Sequence, residues 1–157
     1  MDFLNRVIGR AAKTEPPPLP STIITKAPPG VTWTQVTARG DGRTVSAKLS
    51  TRYGRLRTKR GVASYAPGRH YIVNYGHGDR AVARRDIFER VYQAVGDGKY
   101  EKRSEITYRY FTLPHDVTVN TAEGPEAAKA GDWIMEGVEG ELYPIAPERA
   151  REIYHSL

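Results

Sequence analysis

The side chains able to do chemistry are few and poorly spaced for it. The four histidines, His70, His77, His115 and His155, show no metal-ligand spacing. His70 and His77 lie seven apart in a hairpin-like stretch, on opposite faces if the strands are regular. The chain has no cysteine, which excludes disulfides, thiol nucleophiles and Cys-ligated zinc. Gly76-His-Gly-Asp-Arg-Ala81 fits a GxGxxA spacing, but a dinucleotide site needs a helix to open directly after it. Ala81-Val-Ala83 reads as a strand, so the glycines read as a hairpin turn. No Gly-x-Ser-x-Gly, P-loop or His-Glu-x-x-His is present. Asp132, Glu136, Glu139 and Glu141 could supply paired carboxylates, yet their hairpin context reads as solvated edge charge or a cation-attracting rim. No enzyme, metal or cofactor is expected.

The cations are the chemistry that remains. From Val31 to Tyr92 there are 13 Lys/Arg against 4 Asp/Glu, and from Gln93 to Leu157 there are 7 against 12. The net charge of +6 thus hides a basic first half and an acidic second. Clustered arginine attracts phosphate, and nucleic-acid proteins carry basic faces of this kind. Arg52, Arg55, Arg57, Lys59, Arg60, Arg84 and Arg85 are the candidate contacts to a nucleic acid or nucleotide. Arg55, Arg57 and Lys59 share one face if Arg55-Leu-Arg-Thr-Lys-Arg-Gly61 is a strand. Tyr53, Tyr65, Tyr71 and Tyr75 could stack on bases. The same charges allow other readings: the basic half pairs with the acidic half, within the chain or between copies, or it is a solvated face. A small molecule in the cleft between the halves is a further possibility.

The elements that would position these residues are strands and short helices. In Gly131 to Tyr154, Trp133 and Met135 alternate with Ile134 and Glu136, as in a half-buried strand. Gly137 and Gly140 would supply positive φ for a hairpin turn. Leu142, Tyr143 and Ile145 give the return strand, with Pro144 marking an edge or bulge. Pro147 fits a first helical turn, and Ala150, Ile153, Tyr154 and Leu157 form a helical stripe. Tyr71 to Tyr92 aligns on Trp133 to Tyr154 without a gap, with Ile72 on Ile134, Gly78 on Gly140 and Tyr92 on Tyr154. The shared order of aromatic strand, glycine turn, strand, acidic helix start and terminal tyrosine points to a duplication.

The stretch Ala130-Gly-Asp-Trp-Ile-Met-Glu-Gly-Val-Glu-Gly-Glu-Leu-Tyr-Pro-Ile-Ala-Pro resembles small phage and prophage proteins of the PGDYG type. Glu105-Ile-Thr-Tyr-Arg-Tyr and Thr121-Ala-Glu-Gly resemble that family's earlier strand and turn. The chain departs from it at Ala130, in place of proline, and at Ala150, in place of the helix phenylalanine. The resemblance implies a phage or mobile-element origin and a small β-rich domain. The family has no established activity, so no catalytic residue carries over.

Before this unit, Val31-Thr-Trp-Thr-Gln-Val-Thr and Thr44-Val-Ser-Ala-Lys-Leu-Ser read as strands joined by an Arg39-Gly-Asp-Gly-Arg43 hairpin turn. Asp86-Ile-Phe-Glu89 reads as a capping box for a helix with Ile87, Phe88, Val91, Tyr92 and Val95 inward, ended by Gly96. Phe3, Leu4, Val7, Ile8 and Ala11 form an amphipathic helical stripe, tethered by the proline-rich Thr14–Thr22. This helix would dock on its own domain, a second copy, or a host or phage protein. No run is long and apolar enough to span a membrane, and no secretory signal is expected.

The expected fold is α+β and β-rich: two tandem, related, small sheet or barrel-like modules, each ending in a short helix, after an N-terminal amphipathic helix. The expected divisions are 1–30 (helix and linker), 31–96 (basic module) and 97–157 (acidic module). The favoured function is a non-enzymatic phage or prophage accessory protein that binds a phosphate-rich partner, nucleic acid before others, through the basic module. The alternative is a structural or protein-interaction component, a virion part or host-protein inhibitor, that self-assembles through complementary modules. The expected location is the bacterial cytoplasm or the virion.

Overall fold

Alternating apolar residues broken by glycine turns leave about half of the described residues to pair as strands. The computed structural model describes residues 18–40 and 43–157. In chain order the first strands are β1 (Ile23–Ile24), β2 (Thr34–Ala38), β3 (Thr44–Leu49), β4 (Gly54–Thr58), β5 (Gly61–Tyr65), β6 (His70–Gly76) and β7 (Asp79–Arg84). Helix α1 (Arg85–Val91) follows, then β8 (Tyr92–Gly96), β9 (Lys99–Lys102), β10 (Thr107–Phe111), β11 (Val117–Thr121), β12 (Gly124–Ala128), β13 (Trp133–Glu136) and β14 (Leu142–Ile145). Helix α2 (Pro147–Ile153) and β15 (Tyr154–Ser156) close the chain. The strands form two five-stranded sheets, β7-β6-β3-β9-β8 and β14-β13-β10-β2-β15, a three-stranded sheet β1-β11-β12, and the ribbon β4-β5.

This corrects the expected fold class. The protein is β-rich with several sheets, 51% strand and 10% helical among the described residues. The expected N-terminal helix, with Phe3, Leu4, Val7 and Ile8, lies outside the described residues. Neither module ends in a helix. Both helices stop after seven residues, because Tyr92 (φ −117, ψ 150) and Tyr154 (φ −121, ψ 158) turn into extended backbone and start a strand. Two turns are too short to hold themselves in water, so sheet pairing decides where they stop. The expected helical stripes are therefore cut short, and Val95 and Leu157 are exposed. The expected capping box is also absent: neither helix has a side-chain cap. Glu89 instead accepts hydrogen bonds from the Tyr71 hydroxyl (2.7 Å) and Arg85 Nε (3.2 Å).

The two halves match element by element. The helices are offset by 62 residues, 85 to 147 and 91 to 153. The hairpin pairs Tyr71↔Ala83 and Val73↔Ala81 recur at that offset as Trp133↔Ile145 and Met135↔Tyr143. The β4-β5 and β11-β12 hairpins match at an offset of 63, 54 to 117 and 65 to 128. Their turns share one device: Thr58 Oγ1 donates to Gly61 O (2.9 Å), and Thr121 Oγ1 to Gly124 O (2.6 Å). Both glycines take positive φ, 122 and 120, where a Cβ would be strained. In the later β13-β14 turn only Gly140 has positive φ (84); Gly137, expected to share that role, does not.

The halves are nevertheless not self-contained tandem modules. The expected hairpin between Val31–Thr37 and Thr44–Ser50 does not form. Strand β2 lies between β10 and β15, in the sheet of the second half. Strand β9 lies between β3 and β8, in the sheet of the first. Each half thus gives its partner the fourth strand of a five-stranded sheet. Burial explains the choice for β2: Val36 (0% exposed) and Ala38 (1%) enter a core with Tyr108, Trp133, Met135, Ala150 and Tyr154.

Packing differs where the halves diverge. In the first, Phe88 stacks between Tyr71 (4.4 Å) and Tyr92 (4.7 Å). In the second, Ala150 takes the place of Phe88, and Trp133 stacks on Tyr110 instead (3.8 Å). The exchanged strand β9 carries Lys102, which ties the two sheets together. Its Nζ donates to the Tyr154 hydroxyl (2.7 Å) and sits over the rings of Tyr108 (4.9 Å), Tyr154 (5.0 Å) and Tyr92 (5.7 Å). The Tyr154 hydroxyl is also 3.1 Å from that of Tyr143. A half-buried ammonium is here stabilised by one charge-assisted hydrogen bond and several ring faces.

Two expectations follow. Lys102→Met leaves the Tyr154 hydroxyl without its lysine donor and lowers unfolding stability by about 2 kcal/mol; an unchanged urea midpoint would remove Lys102 from this role. Polypeptides 1–96 and 97–157 made separately show no cooperative thermal unfolding, and co-refolding them restores it. Cooperative melting of either piece alone would mean that the exchanged strands are dispensable.

Candidate binding surface

The seven candidate cations divide into those the chain has already neutralised and those it has not. Lys59 pairs with Asp79 (3.4 Å). Arg60, half-buried in the β4-β5 turn, bonds to Glu126 (2.7 Å) and Glu123 (3.0 Å). Burial works against its charge, but the hydrogen bond and attraction of Glu126, helped by Glu123 and Asp79, outweigh it and raise its pKa. Glu123 occupies in the second hairpin the place Arg60 holds in the first, so the two equivalent turns meet through an ion pair. Arg84 is held by Asp86 (2.6 Å) and Glu139 (3.1 Å). The hydrogen bond between Arg84 and Asp86 raises the pKa of the guanidinium and lowers that of the carboxyl. Arg85 pairs with Glu89 (3.2 Å) and donates to Gly68 O (3.3 Å).

Arg52, Arg55 and Arg57 are different. All three are exposed, and among the described residues their side chains have no ion pair or hydrogen bond. Arg52 sits on a bend held by Ser50, whose buried hydroxyl donates to Arg52 O (2.6 Å) and accepts from Arg52 N (3.3 Å). Arg55 and Arg57 project from one face of β4, opposite Ser64 and Val62 of β5. Val62 is 56% exposed and Tyr53, between Arg52 and β4, is 80% exposed. Lys59 and Arg60 lie in the turn beyond β4 rather than on it, so the expected Arg55–Arg57–Lys59 face holds only for the two arginines.

The other aromatic candidates are used internally. Tyr71 is buried against Phe88. Tyr65 packs its ring over Gly54, which has room only because it lacks a Cβ. Tyr75 is half-buried, and burial, with Glu123 and Asp79 nearby, pushes its pKa up to about 12. Only Tyr53 remains free to stack.

The carboxylate candidates are also occupied, and so is His70. Glu136 binds Arg109 (2.7 Å), which lies over the Trp33 ring (3.9 Å). Glu139 holds Arg84 and Arg90. Glu141 accepts from Glu139 N, and Asp132 from Lys129 N. His70 Nδ1 accepts from Ala66 N (3.0 Å), and His77 lies in the β6-β7 turn with φ 54. Gly76–Ala81 is thus a strand turn with no helix behind it. Among the described residues no three His, Asp or Glu side chains gather as a metal site, and no helix is long and apolar enough to cross a membrane. A groove of about 330 Å³ lies between α1 and the second half, lined by Gln35, Arg90, Thr107, Arg109, Glu136 and Val138. A second hollow of about 570 Å³ is lined by Arg69, His70, Arg84, Arg85, Asp86 and Glu89.

No family model, curated protein or solved structure matches the chain. The Lys102–tyrosine cluster and the pairing of Arg60 with Glu123 and Glu126 escape sequence reading, because they depend on contacts between residues far apart in the chain; the Arg84–Asp86 and Arg85–Glu89 pairs are local.

The buried phenols predict a pH response. Burial raises the pKa of Tyr75, and likewise of Tyr92, Tyr143 and Tyr154. A raised folded pKa means stability is complete below the unfolded value of about 10 and is lost as pH climbs through the folded values. Urea midpoints should therefore stay flat up to about pH 9 and fall beyond about pH 10. Tyr75→Phe should fall less steeply; an identical decline would absolve Tyr75.

Proposed function

We propose that this chain is a non-enzymatic binding protein that holds a phosphate-rich partner, nucleic acid before others, on the β4-β5 ribbon. The observation that carries this reading is the cluster of Arg52, Arg55 and Arg57, exposed and without acidic partners, beside the exposed ring of Tyr53. Guanidinium groups serve phosphate oxygens, and a free tyrosine face can stack an unpaired base. A single strand suits the ribbon better than a duplex, since its bases are accessible to stacking. Lys59, Arg60, Arg84 and Arg85 play a lesser part, because their charge is already matched. Self-assembly between a basic and an acidic half has less support, since Glu123, Glu126 and Glu139 already pair with arginines of their own chain. A phage or prophage accessory role, in the bacterial cytoplasm or the virion, rests on the residue resemblance at Ala130–Pro147 alone.

The test is fluorescence anisotropy with a labelled single-stranded oligonucleotide of about 20 nucleotides, at about 50 and 200 mM salt. Affinity should fall steeply with salt. Arg55→Ala/Arg57→Ala should weaken binding about tenfold and reduce the log–log salt slope by about 1.4, the value for two phosphates of a single strand. A double variant that binds as tightly as the parent would sink the site; the absence of salt-sensitive binding by the parent would sink the function.

A further inference from the structure

The matched halves differ at one edge. In the second half, β1 lies along β11 as an added parallel strand, with Ile23 opposite Thr118 and Ile24 opposite Val119. Thr118 N donates to Thr22 O (2.7 Å), Thr118 Oγ1 to Pro20 O (2.6 Å), and Asn120 Nδ2 to Thr25 Oγ1 (3.0 Å). Strand β4 is the counterpart of β11, with the same hairpin register and the same turn device. Arg55 stands where Thr118 stands, and Arg57 where Asn120 stands. The backbone N–H of Arg55 therefore points away from β5, as that of Thr118 points away from β12. Among the described residues, β4 pairs with β5 alone.

We propose that the open edge of β4 receives an extended acidic segment of a partner protein as an added parallel strand. This goes beyond the reading above, because it uses the backbone edge of the ribbon and takes a polypeptide. The fold itself shows the mode, since β1 occupies the equivalent edge of β11 in this way. Strand addition draws its affinity from main-chain hydrogen bonds and its selectivity from alternate side chains. Here those side chains are Arg55 and Arg57, with Arg52 before them, so acids on the incoming strand are favoured. Two occupants from a second copy are disfavoured. A second β4 would set arginine against arginine, and like charges opposite each other destabilise a pair. A second β1 would bring Lys26, and no acid lies between residues 18 and 30.

The probe is a fluorescein-labelled peptide of about ten residues alternating valine and glutamate, with lysine replacing glutamate in the control. The acidic peptide should bind and the control should not. At saturation, hydrogen exchange at the Arg55 amide should slow at least tenfold while that at Thr118 stays unchanged. Arg55→Pro removes the outward N–H at an edge position that tolerates proline, and should abolish peptide binding. Arg55→Ala removes only the side chain and should weaken it a few-fold. Oligonucleotide binding should suffer equally from the two substitutions. No added protection of the parent's Arg55 amide at millimolar peptide overturns the proposal, whether or not the proline variant folds. Oligonucleotide binding without peptide binding would leave the phosphate reading standing and this one failed; the converse would reverse them. Self-association of the peptide-free protein that protects the Arg55 amide would assign the edge to a second copy and overturn the proposal.

Discussion

Each five-stranded sheet depends on a strand that the other half supplies. Without β2, the sheet of the second half loses Val36 and Ala38 from its core and separates β10 from β15. Without β9, the sheet of the first half loses Tyr100, which meets both Tyr71 and Phe88 edge-on. The exchange is reciprocal, so neither core can be completed before the other half arrives. Lys102 shows the consequence at one atom: it belongs to a sheet of the first half and donates to a tyrosine of the second. Such non-local pairing must bear the cost of loop closure before burial rewards it, which links folding of the two halves into one event.

How much of this can be read from the sequence depends on how local the cause is. The 71–83 hairpin and its later copy are legible, because the turn glycines and the alternation of apolar residues act over a few positions. Pro147 opens a helix and Pro144 lies on an edge strand, as their missing N–H groups require. The helix ends are not legible. Tyr92 and Tyr154 fit a helical stripe and a strand face equally well, and the decision belongs to Lys102 of β9 and Ala38 of β2, which pair with them. The strand exchange is invisible for the same reason. An Asp-Gly turn signal says that a chain can reverse, while the burial of Val36 beside Tyr108 and Met135 decides which strand it meets.

The charge asymmetry carries a similar lesson. Counting residues finds a basic half, but it cannot say which cations are spent within the molecule. Arg60 and Arg84 look identical to Arg55 in a composition table. In the fold, Arg60 reaches Glu123 and Glu126, Arg84 reaches Glu139, and Arg55 reaches no acid among the described residues. Much of the apparent dipole is the complementarity of two halves that pack together. Among the described residues of the basic half Lys48, Arg69 and Arg80 also lack an acidic partner, while Arg52, Arg55 and Arg57 stand with Tyr53 at the β4-β5 ribbon.

The way the duplicated hairpins have diverged explains why Arg55 and Arg57 stand there. On β11 the outward positions are Thr118 and Asn120, short side chains whose hydroxyl and amide groups bond to Pro20 and Thr25 on either side of β1 and let its backbone approach. On β4 the same positions are Arg55 and Arg57, long and charged. An uncovered edge with apolar side chains would pair with any other edge it met, and charge at those positions suppresses such pairing. Arginine therefore protects the open edge from chains like itself while remaining attractive to anions. The two residues whose charge disfavours edge-to-edge pairing of β4 are thus the ones that would set the preference of a strand added there. Among the described residues, β1 covers the edge of one hairpin and leaves the equivalent edge of the other unpaired, so a repeated scaffold carries a charged edge on one side only of the repeat.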